Sequence, residues 1–152
     1  MRKTNEPLSL DGERERFFSL LLRRSCTRRE ARTRLGRRGI DEETVESLLL
    51  EAQEMGLLDD VAYARLFAGS HEAWGDGRIA YELGHRGLSD EDIQAGLEEI
   101  PDEGERLRPL VASWRKSGLE ERKIAARLYR RGFSGQAIRS ACQEDFEEEF
   151  FC

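Results

Sequence analysis

The chain has 152 residues, a formal net charge of −6 and a charged fraction of 37%, against about 25% in ordinary globular domains. No stretch resembles a transmembrane span or the apolar core of a signal peptide, which excludes a membrane-embedded protein and predicts a cytoplasmic one. Its three cysteines, Cys26, Cys142 and Cys152, lack metal or redox spacing, which excludes a disulfide scaffold and fits a reducing compartment.

Charge is distributed unevenly along the chain. Residues 1–39 carry 12 Lys/Arg and 5 Asp/Glu, whereas residues 40–105 carry 3 and 19. Residues 115–139 carry 8 basic and 2 acidic side chains, and the charged side chains of the last thirteen residues are all acidic. Two basic ends that flank an acidic middle indicate a polyanion or a charged protein as the partner.

The first forty residues predict two helices. Apolar positions from Phe17 to Leu22 define the first amphipathic helix. Thr27 and Glu30 form a capping box that opens the second, which ends at Gly39 because glycine accepts the left-handed conformation that closes a helix.

A third helix follows, with an apolar stripe from Val45 to Ala52, and it ends at Gly56. Asp59 and Asp60 then mark the start of another helix. An acid–base or metal role for this pair is the alternative, but the pair has no third ligand, which favours capping.

The second and third parts of the chain repeat this organisation. The first predicted helix of the second part carries Tyr63, Leu66 and Phe67. The second covers about residues 77–86 and the third covers residues 90–99. Those of the third part carry Leu107 to Trp114, then Ile124 and Leu128, then Ile138 and Ala141.

One seven-residue phrase links the three parts. It reads leucine, two residues, arginine, glycine, a bulky apolar residue and an N-cap residue, and its copies are residues 35–41, 83–89 and 128–134. In each copy the apolar residue also pairs with one four positions beyond the cap, which is a hydrophobic staple. The staples are Ile40 with Val45, Leu88 with Ile93, and Phe133 with Ile138. Self-similarity at this period indicates a repeat array, in which each unit packs mainly on its neighbours.

We therefore predict an all-α, elongated array of three tandem three-helix repeats. The predicted boundaries are a mobile leader at 1–12, repeats at 13–57, 58–101 and 102–143, and an acidic tail at 144–152.

Basic positions recur with the repeats. Arg34, Arg37 and Arg38 of the first repeat correspond to Arg127, Arg130 and Arg131 of the third, and Lys123 extends the third set along the same helix face. The second repeat keeps only Arg78 and Arg86. Such a face contacts phosphate or acidic protein, or else it is a solvated helix face with favourable C-terminal charge.

Several single residues invite a functional interpretation. The arginines at 23, 24, 28 and 29 predict a lowered thiol pKa for Cys26, although an incidental cysteine fits better because no base or resolving partner accompanies it. His71 and His85 are isolated and predict surface roles. Trp74 lies in a glycine-bounded loop, where it either contacts a partner or packs between repeats.

Taken together, these motifs resemble the RecX family of regulatory proteins. The resemblance covers about residues 14–143. Its first motif includes Arg23-Arg24, Thr27, Glu30, Leu35 and Gly39. Its central motif is Leu57-Leu58-Asp59-Asp60, Tyr63-Ala64, Phe67, Gly75, Arg78-Ile79, Glu82-Leu83 and Gly87. Its closing motif is Leu128-x-Arg130-Arg131-Gly132-Phe133-Ser134 with Ile138.

The resemblance implies tandem three-helix repeats in a curved shape. It also implies binding to the recombinase RecA and its filament on single-stranded DNA, with inhibition of recombinase, ATPase and co-protease activities by blocking filament growth or promoting disassembly. It implies weak DNA binding, and no catalytic residue, cofactor, metal, membrane or small-molecule substrate; we expect a monomer. The chain departs from the family pattern at Ala62, His71 and Glu72, where basic residues are common, which shifts the expected contacts to the two ends.

We accordingly expect three groups of basic residues to contact the partner or DNA. They are Arg28, Arg29, Arg34, Arg37 and Arg38 at one end, Arg78 and Arg86 in the middle, and Arg122, Lys123, Arg127, Arg130 and Arg131 at the other end. The alternatives are a helix-turn-helix-like DNA-binding regulator of transcription and a helical scaffold for an unrelated protein. An enzyme lacks support, because the sequence shows no nucleophile–base pair, phosphate loop or metal cluster.

Overall fold

The computed structural model of the protein describes residues 9–142, and this part of the chain is helical without strands. The predicted all-α class is therefore confirmed. The acidic tail at 144–152 and most of the predicted leader lie outside the described residues. Helix α1 begins at Leu10 with Ser9 as its N-cap, so residues 10–12 belong to a helix, contrary to the predicted leader.

The described helices follow one another with short connections. They are α1 (Leu10–Arg23), α2 (Arg28–Arg37), α3 (Glu42–Glu54), α4 (Asp60–Gly69), α5 (Asp76–His85), α6 (Asp90–Leu97), α7 (Glu103–Lys116), α8 (Glu121–Arg130) and α9 (residues 135–142). None of the helices in this part of the chain is long and apolar enough to cross a membrane.

Four of the predicted N-caps are confirmed. The side chains of Thr27, Asp41, Ser89 and Ser134 each accept a hydrogen bond from the backbone N–H three residues later, at 3.1–3.2 Å. Each satisfies one of the backbone donors that a helix start leaves without an intrahelical partner. The last three of these caps each follow a glycine by two positions. Gly39, Gly87 and Gly132 have φ of 76°, 92° and 89°, as predicted for glycines that end a helix.

The chain divides into two compact units, Met1–Asp60 and Val61–Cys152. The first unit has one apolar core among α1, α2 and α3, where Ala31, Leu49 and Ala52 are fully buried. Within this unit the Asp60 carboxylate accepts a hydrogen bond from the backbone N–H of Arg28, at 3.0 Å. Asp60 thereby contacts the first turn of α2, a contact that its place in the sequence does not indicate.

The second unit has two apolar clusters, which we call the second and third clusters in chain order after the core of the first unit. One is built by α4, α5 and α6 around Ile79, Leu83 and Ile93. The other is built by α7, α8 and α9 around Leu107, Ile124, Leu128 and other residues. The predicted boundary at 101/102 falls between these clusters, and the division of the whole chain into three repeats stays a prediction.

The prediction for the buried face of α4 is wrong in part. Leu66 is 62% exposed, and the fully buried residues of α4 are Ala64 and Ala68. The cause is a close approach of α6: a Cβ on Gly96 would lie 2.5 Å from the Cβ of Ala64. Two helices this close leave room only for small residues, so the large aromatic side chains of α4 lie at the margin of the cluster.

The two clusters of the second unit are joined by backbone hydrogen bonds. Gly75 N–H donates to the carbonyl of Arg131 at 2.8 Å, and Gly77 N–H donates to that of Gly132 at 3.2 Å. A Cβ on Gly75 would lie 2.1 Å from the backbone nitrogen of Phe133. The contact therefore requires glycine at position 75.

We predict that Gly75→Ala destabilises the protein by about 1–3 kcal/mol, the range for overpacking, because the added methyl meets rigid backbone. The matched control is Gly84→Ala in α5, where the added Cβ meets nothing within 4 Å. Alanine there is expected to be neutral or stabilising by up to about 1 kcal/mol. Urea unfolding followed by circular dichroism measures both. Equal stability of the two variants would contradict the close contact.

Candidate partner-binding surface

The predicted contact arginines of the first unit lie on α2 and at its C-terminal end, and two of them form ion pairs near the surface. Arg28 pairs with Glu46 at 2.9 Å, and Arg34 pairs with Glu30 at 3.1 Å. Partly exposed pairs of this kind contribute little to stability, so their cations are available to another anion at small cost. Arg29 and Arg37 have exposed side chains.

Arg38 differs from these residues because it forms a two-point ion pair with a buried acid. Its Nε and Nη2 donate to the two carboxylate oxygens of Glu13 at 3.0 and 2.7 Å. Glu13 is only 8% exposed, and the hydrogen bond from Arg38 lowers the pKa of its carboxyl. The pair ties α1 to the end of α2, which gives Arg38 a role inside the unit.

In the second unit, two predicted arginines lie against one tryptophan. The guanidinium carbons of Arg127 and Arg131 lie 5.5 and 5.2 Å from the centre of the Trp114 ring. Trp114 itself is partly buried and packs against the third apolar cluster. An arginine held on an aromatic face loses little further side-chain entropy when it binds an anion, and its in-plane N–H groups stay available.

The rest of the basic set on α8 faces solvent. Lys123 and Arg130 are exposed, and Arg122 lies 3.8 Å from Glu120 with both side chains largely exposed. On one helix Lys123, Arg127 and Arg130 follow the spacing of a single face.

Trp74 packs within its own cluster. Its ring contacts Phe67 edge-on at 6.1 Å and His71 at 4.2 Å between ring centres, and the guanidinium of Arg78 lies 3.9 Å from its centre. His71 also hydrogen-bonds through Nδ1 to the carbonyl of Phe67 at 2.8 Å. Trp74 therefore packs against the cluster of α4, α5 and α6 and against a cation, which differs from the predicted packing between repeats.

Arg86, the other basic residue kept by the second repeat, lies over α4. Its guanidinium is 4.7 Å from the ring centre of Phe67 and hydrogen-bonds the hydroxyl of Tyr63. This contact covers the partly buried aromatic residues at the margin of the cluster.

The structure brings Arg78 of α5 next to the end of α8. A Cβ on Gly132 would lie 2.5 Å from the Cβ of Arg78, and Arg131 Nη1 donates to the carbonyl of Ala73 at 3.4 Å. We call the set Trp74, Arg78, Trp114, Arg127 and Arg131 the cation–aromatic surface. The departures from the family pattern shifted the expected contacts away from the middle of the chain. The middle of the chain nevertheless contributes one arginine, Arg78, to the cation–aromatic surface.

Sequence reasoning missed Arg106, the most buried arginine of the described residues. It is 5% exposed and lies in α7 beside the core residue Leu107. A signal was available: Arg106 stands four positions before Leu110, on the apolar stripe, where a charge requires buried partners.

The predicted lowering of the Cys26 thiol pKa is wrong. The thiol is buried in the first core, and its burial raises the pKa because the thiolate would lose hydration. The charge of Glu30 raises this pKa further, and the opposing effects of Arg34 and Arg24 do not outweigh burial. Within residues 9–142, no group of three or more His, Cys, Asp or Glu side chains is placed to hold a metal ion.

Known proteins resemble this chain in sequence and in fold. The family model described as the second three-helix domain of RecX matches residues 59–97. The regulatory protein RecX of Halorhodospira halophila is 35% identical over 147 residues, which cover 91% of each chain. The regulatory protein RecX of Stenotrophomonas maltophilia is 33% identical over 86% of this chain and 85% of that one. The crystal structure of RecX from Lactobacillus salivarius superposes with a TM-score of 0.77 at 21% identity, over 89% of this chain and 95% of that one.

We predict that Glu13→Gln lowers the free energy of unfolding at pH 7 and does so less at acidic pH. The folded state lowers the pKa of Glu13, so its contribution is complete above the ordinary value of about 4.3. That contribution is lost as the pH falls through the lower, folded-state pKa. Urea unfolding at pH 7 and pH 3 measures the difference. Glu15→Gln, at an exposed position of the same helix, is the matched control; a deficit in Glu13→Gln that persists at pH 3 would contradict this role of the pair.

We also predict that Cys26 reacts slowly with thiol reagents in the folded protein. A variant with Cys142→Ser and Cys152→Ser leaves Cys26 as the single thiol. Its labelling at pH 8 should be much slower in buffer than in urea, because both burial and the raised pKa suppress the exposed thiolate. Labelling at the unfolded rate in buffer would show that the first core is open.

Proposed function

The chain belongs to the RecX family of regulatory proteins, and we propose that it is a cytoplasmic regulator that binds RecA and the RecA filament on single-stranded DNA. It inhibits the recombinase, ATPase and co-protease activities of RecA by blocking filament growth or by promoting disassembly. It acts by stoichiometric binding and not by turnover.

The observation that carries this proposal is the cation–aromatic surface of the second unit. Trp114 holds Arg127 and Arg131 within 5.5 Å of its ring centre, so their positions are restricted before the partner arrives. Preorganised side chains bind with a smaller entropy loss. Planar guanidinium groups match the carboxylate and phosphate groups that a nucleoprotein filament presents.

A second basic surface belongs to the first unit and includes Arg28, Arg29, Arg34 and Arg37. Its ion pairs with Glu46 and Glu30 are near the surface and can exchange for pairs with the partner at little cost. Two modest contacts carried by one chain reinforce each other, because the second binding event is intramolecular. Arg38, which is paired with Glu13, supports this surface from inside the unit.

The regulation itself requires differential binding. A regulator shifts the state of a filament only by as much as it binds one state better than another. We propose that the basic surfaces bind best to a filament that neither grows nor hydrolyses ATP productively, so that binding holds RecA in that state.

The test is the ATPase activity of RecA on single-stranded DNA, titrated with the protein. We expect inhibition near equimolar ratios. We expect a variant with Arg127→Glu, Arg130→Glu and Arg131→Glu to inhibit at least about tenfold more weakly, as for loss of a central contact cluster. The matched control carries Arg65→Glu, Arg108→Glu and Arg139→Glu, which changes the net charge equally at exposed positions of the same unit.

The possible results separate three interpretations. No inhibition by the unmodified protein would reject the proposed function. Equal inhibition by both triple variants would reject the assigned surface. Tight, sequence-specific binding to duplex DNA without RecA would instead favour the transcriptional regulator, an alternative that the acidic net charge of −6 disfavours.

A further inference from the structure

The guanidinium of Arg106 hydrogen-bonds mainly to the segment that carries Trp74. Its side chain is 1% exposed, and its guanidinium donates to the carbonyls of Pro101, Glu72 and Trp74 at 2.6, 3.3 and 3.0 Å. It also donates to the carboxylate of Asp76 at 2.8 Å. Burial of a charge is unfavourable unless it is paired and hydrogen-bonded, and here all three guanidinium nitrogens have acceptors.

A neighbouring residue of α7 holds the same loop from its other end. The Glu103 carboxylate accepts the backbone N–H of Asp76 at 2.8 Å. It also accepts the backbone N–H of Ser134, with both oxygens at 3.3 Å. The first turn of α7 therefore fixes the loop before α5 and the segment after α8 with respect to each other.

These contacts decide where the cations of the surface lie. The fixed loop positions Trp74, whose ring lies under Arg78 at 3.9 Å. The same loop receives Arg131 at the carbonyl of Ala73 and bonds the carbonyl of Arg131 through Gly75. The hydrogen bonds of Arg106 thus go to none of the arginines of this surface, yet they hold the backbone that places Arg78 and Arg131 side by side.

We propose that Arg106 is the positioning residue of the cation–aromatic surface: it joins Arg78 to Arg127 and Arg131 so that the three bind the filament as one unit. This inference rests on the proposed function. It assigns the middle part of the chain a direct share in binding, and it requires arginine, because a lysine ammonium is a single point charge that cannot reach four separate acceptors.

A double-mutant cycle in the full-length protein tests this role. The variants are Arg106→Lys, Arg78→Ala and their combination, with inhibition of the RecA ATPase as the readout. We expect Arg106→Lys to weaken inhibition about tenfold, and Arg78→Ala to have a clear effect in the native background and almost none in Arg106→Lys, as coupled residues do. Arg122→Ala is the control, because Arg122 is exposed and lies away from the contacts of Arg106. It should change the inhibition of the RecA ATPase equally in both backgrounds.

A spectroscopic readout separates positioning from a loss of stability. The chain has two tryptophans, so its ¹⁵N–¹H spectrum has two indole N–H signals, which a Trp114→Phe variant assigns. Arg106→Lys should shift the Trp74 signal and leave the Trp114 signal in place. If Arg106→Lys does not fold, Asp76→Ala replaces it, because that change removes one anchor at a half-exposed position and leaves the three buried carbonyl contacts.

The outcomes are decisive in either direction. Coupling between positions 106 and 78 together with a shifted Trp74 signal supports the proposal. A folded Arg106→Lys that inhibits RecA like the native protein overturns it, as does full additivity with Arg78→Ala. Failure of the native protein to inhibit RecA rejects the proposed function, which this set of experiments distinguishes from failure of the positioning role.

Discussion

The approach of the Gly75 backbone to residues 131–133 is the constraint on which the second unit depends. It joins two apolar clusters by hydrogen bonds between main chains, and it exists because no side chain intervenes at position 75. Main-chain contacts of this kind are rigid, since they leave no side-chain rotamer to adjust. The buried guanidinium of Arg106 satisfies the carbonyls that the same loop would otherwise leave without partners. The juxtaposition of Arg78 and Arg131 on the cation–aromatic surface follows from this junction.

The local features of the fold were predictable from sequence because their causes are local. A cap at Asp41 or Ser89 requires only a side-chain oxygen three residues before a backbone N–H, and a left-handed glycine at 39, 87 or 132 requires only the absence of a Cβ. Three copies of the same phrase then predicted a division into repeats. The predicted core of the third cluster, including Leu107 and Ile138, follows from helical spacing in the same way.

Features that depend on contacts between distant residues were not predictable in this way. The buried face of α4 consists of small residues because Gly96, about thirty positions away, packs closely against it. The spacing of apolar residues within α4 does not reveal this contact. The lowered pKa expected for Cys26 was wrong because counting nearby arginines ignores the burial of the thiol, which depends on packing between helices. The candidate surface shows the same limit: the sequence identified its arginines by repeat position, whereas Trp74, Trp114 and Arg106 acquire their roles only when the chain folds.

In the middle part of the chain, residues 71 and 72 take part in packing and hydrogen bonding. The family resemblance predicts basic residues at positions 71 and 72, where this chain has His71 and Glu72. The His71 ring lies 4.3 Å from that of Phe67 and 4.2 Å from that of Trp74, so it forms part of the stack that supports Trp74. The carbonyl of Glu72 is an acceptor for Arg106. Both residues therefore support the loop that places Trp74 under Arg78, so two positions without a basic side chain act on a cation through packing and hydrogen bonding.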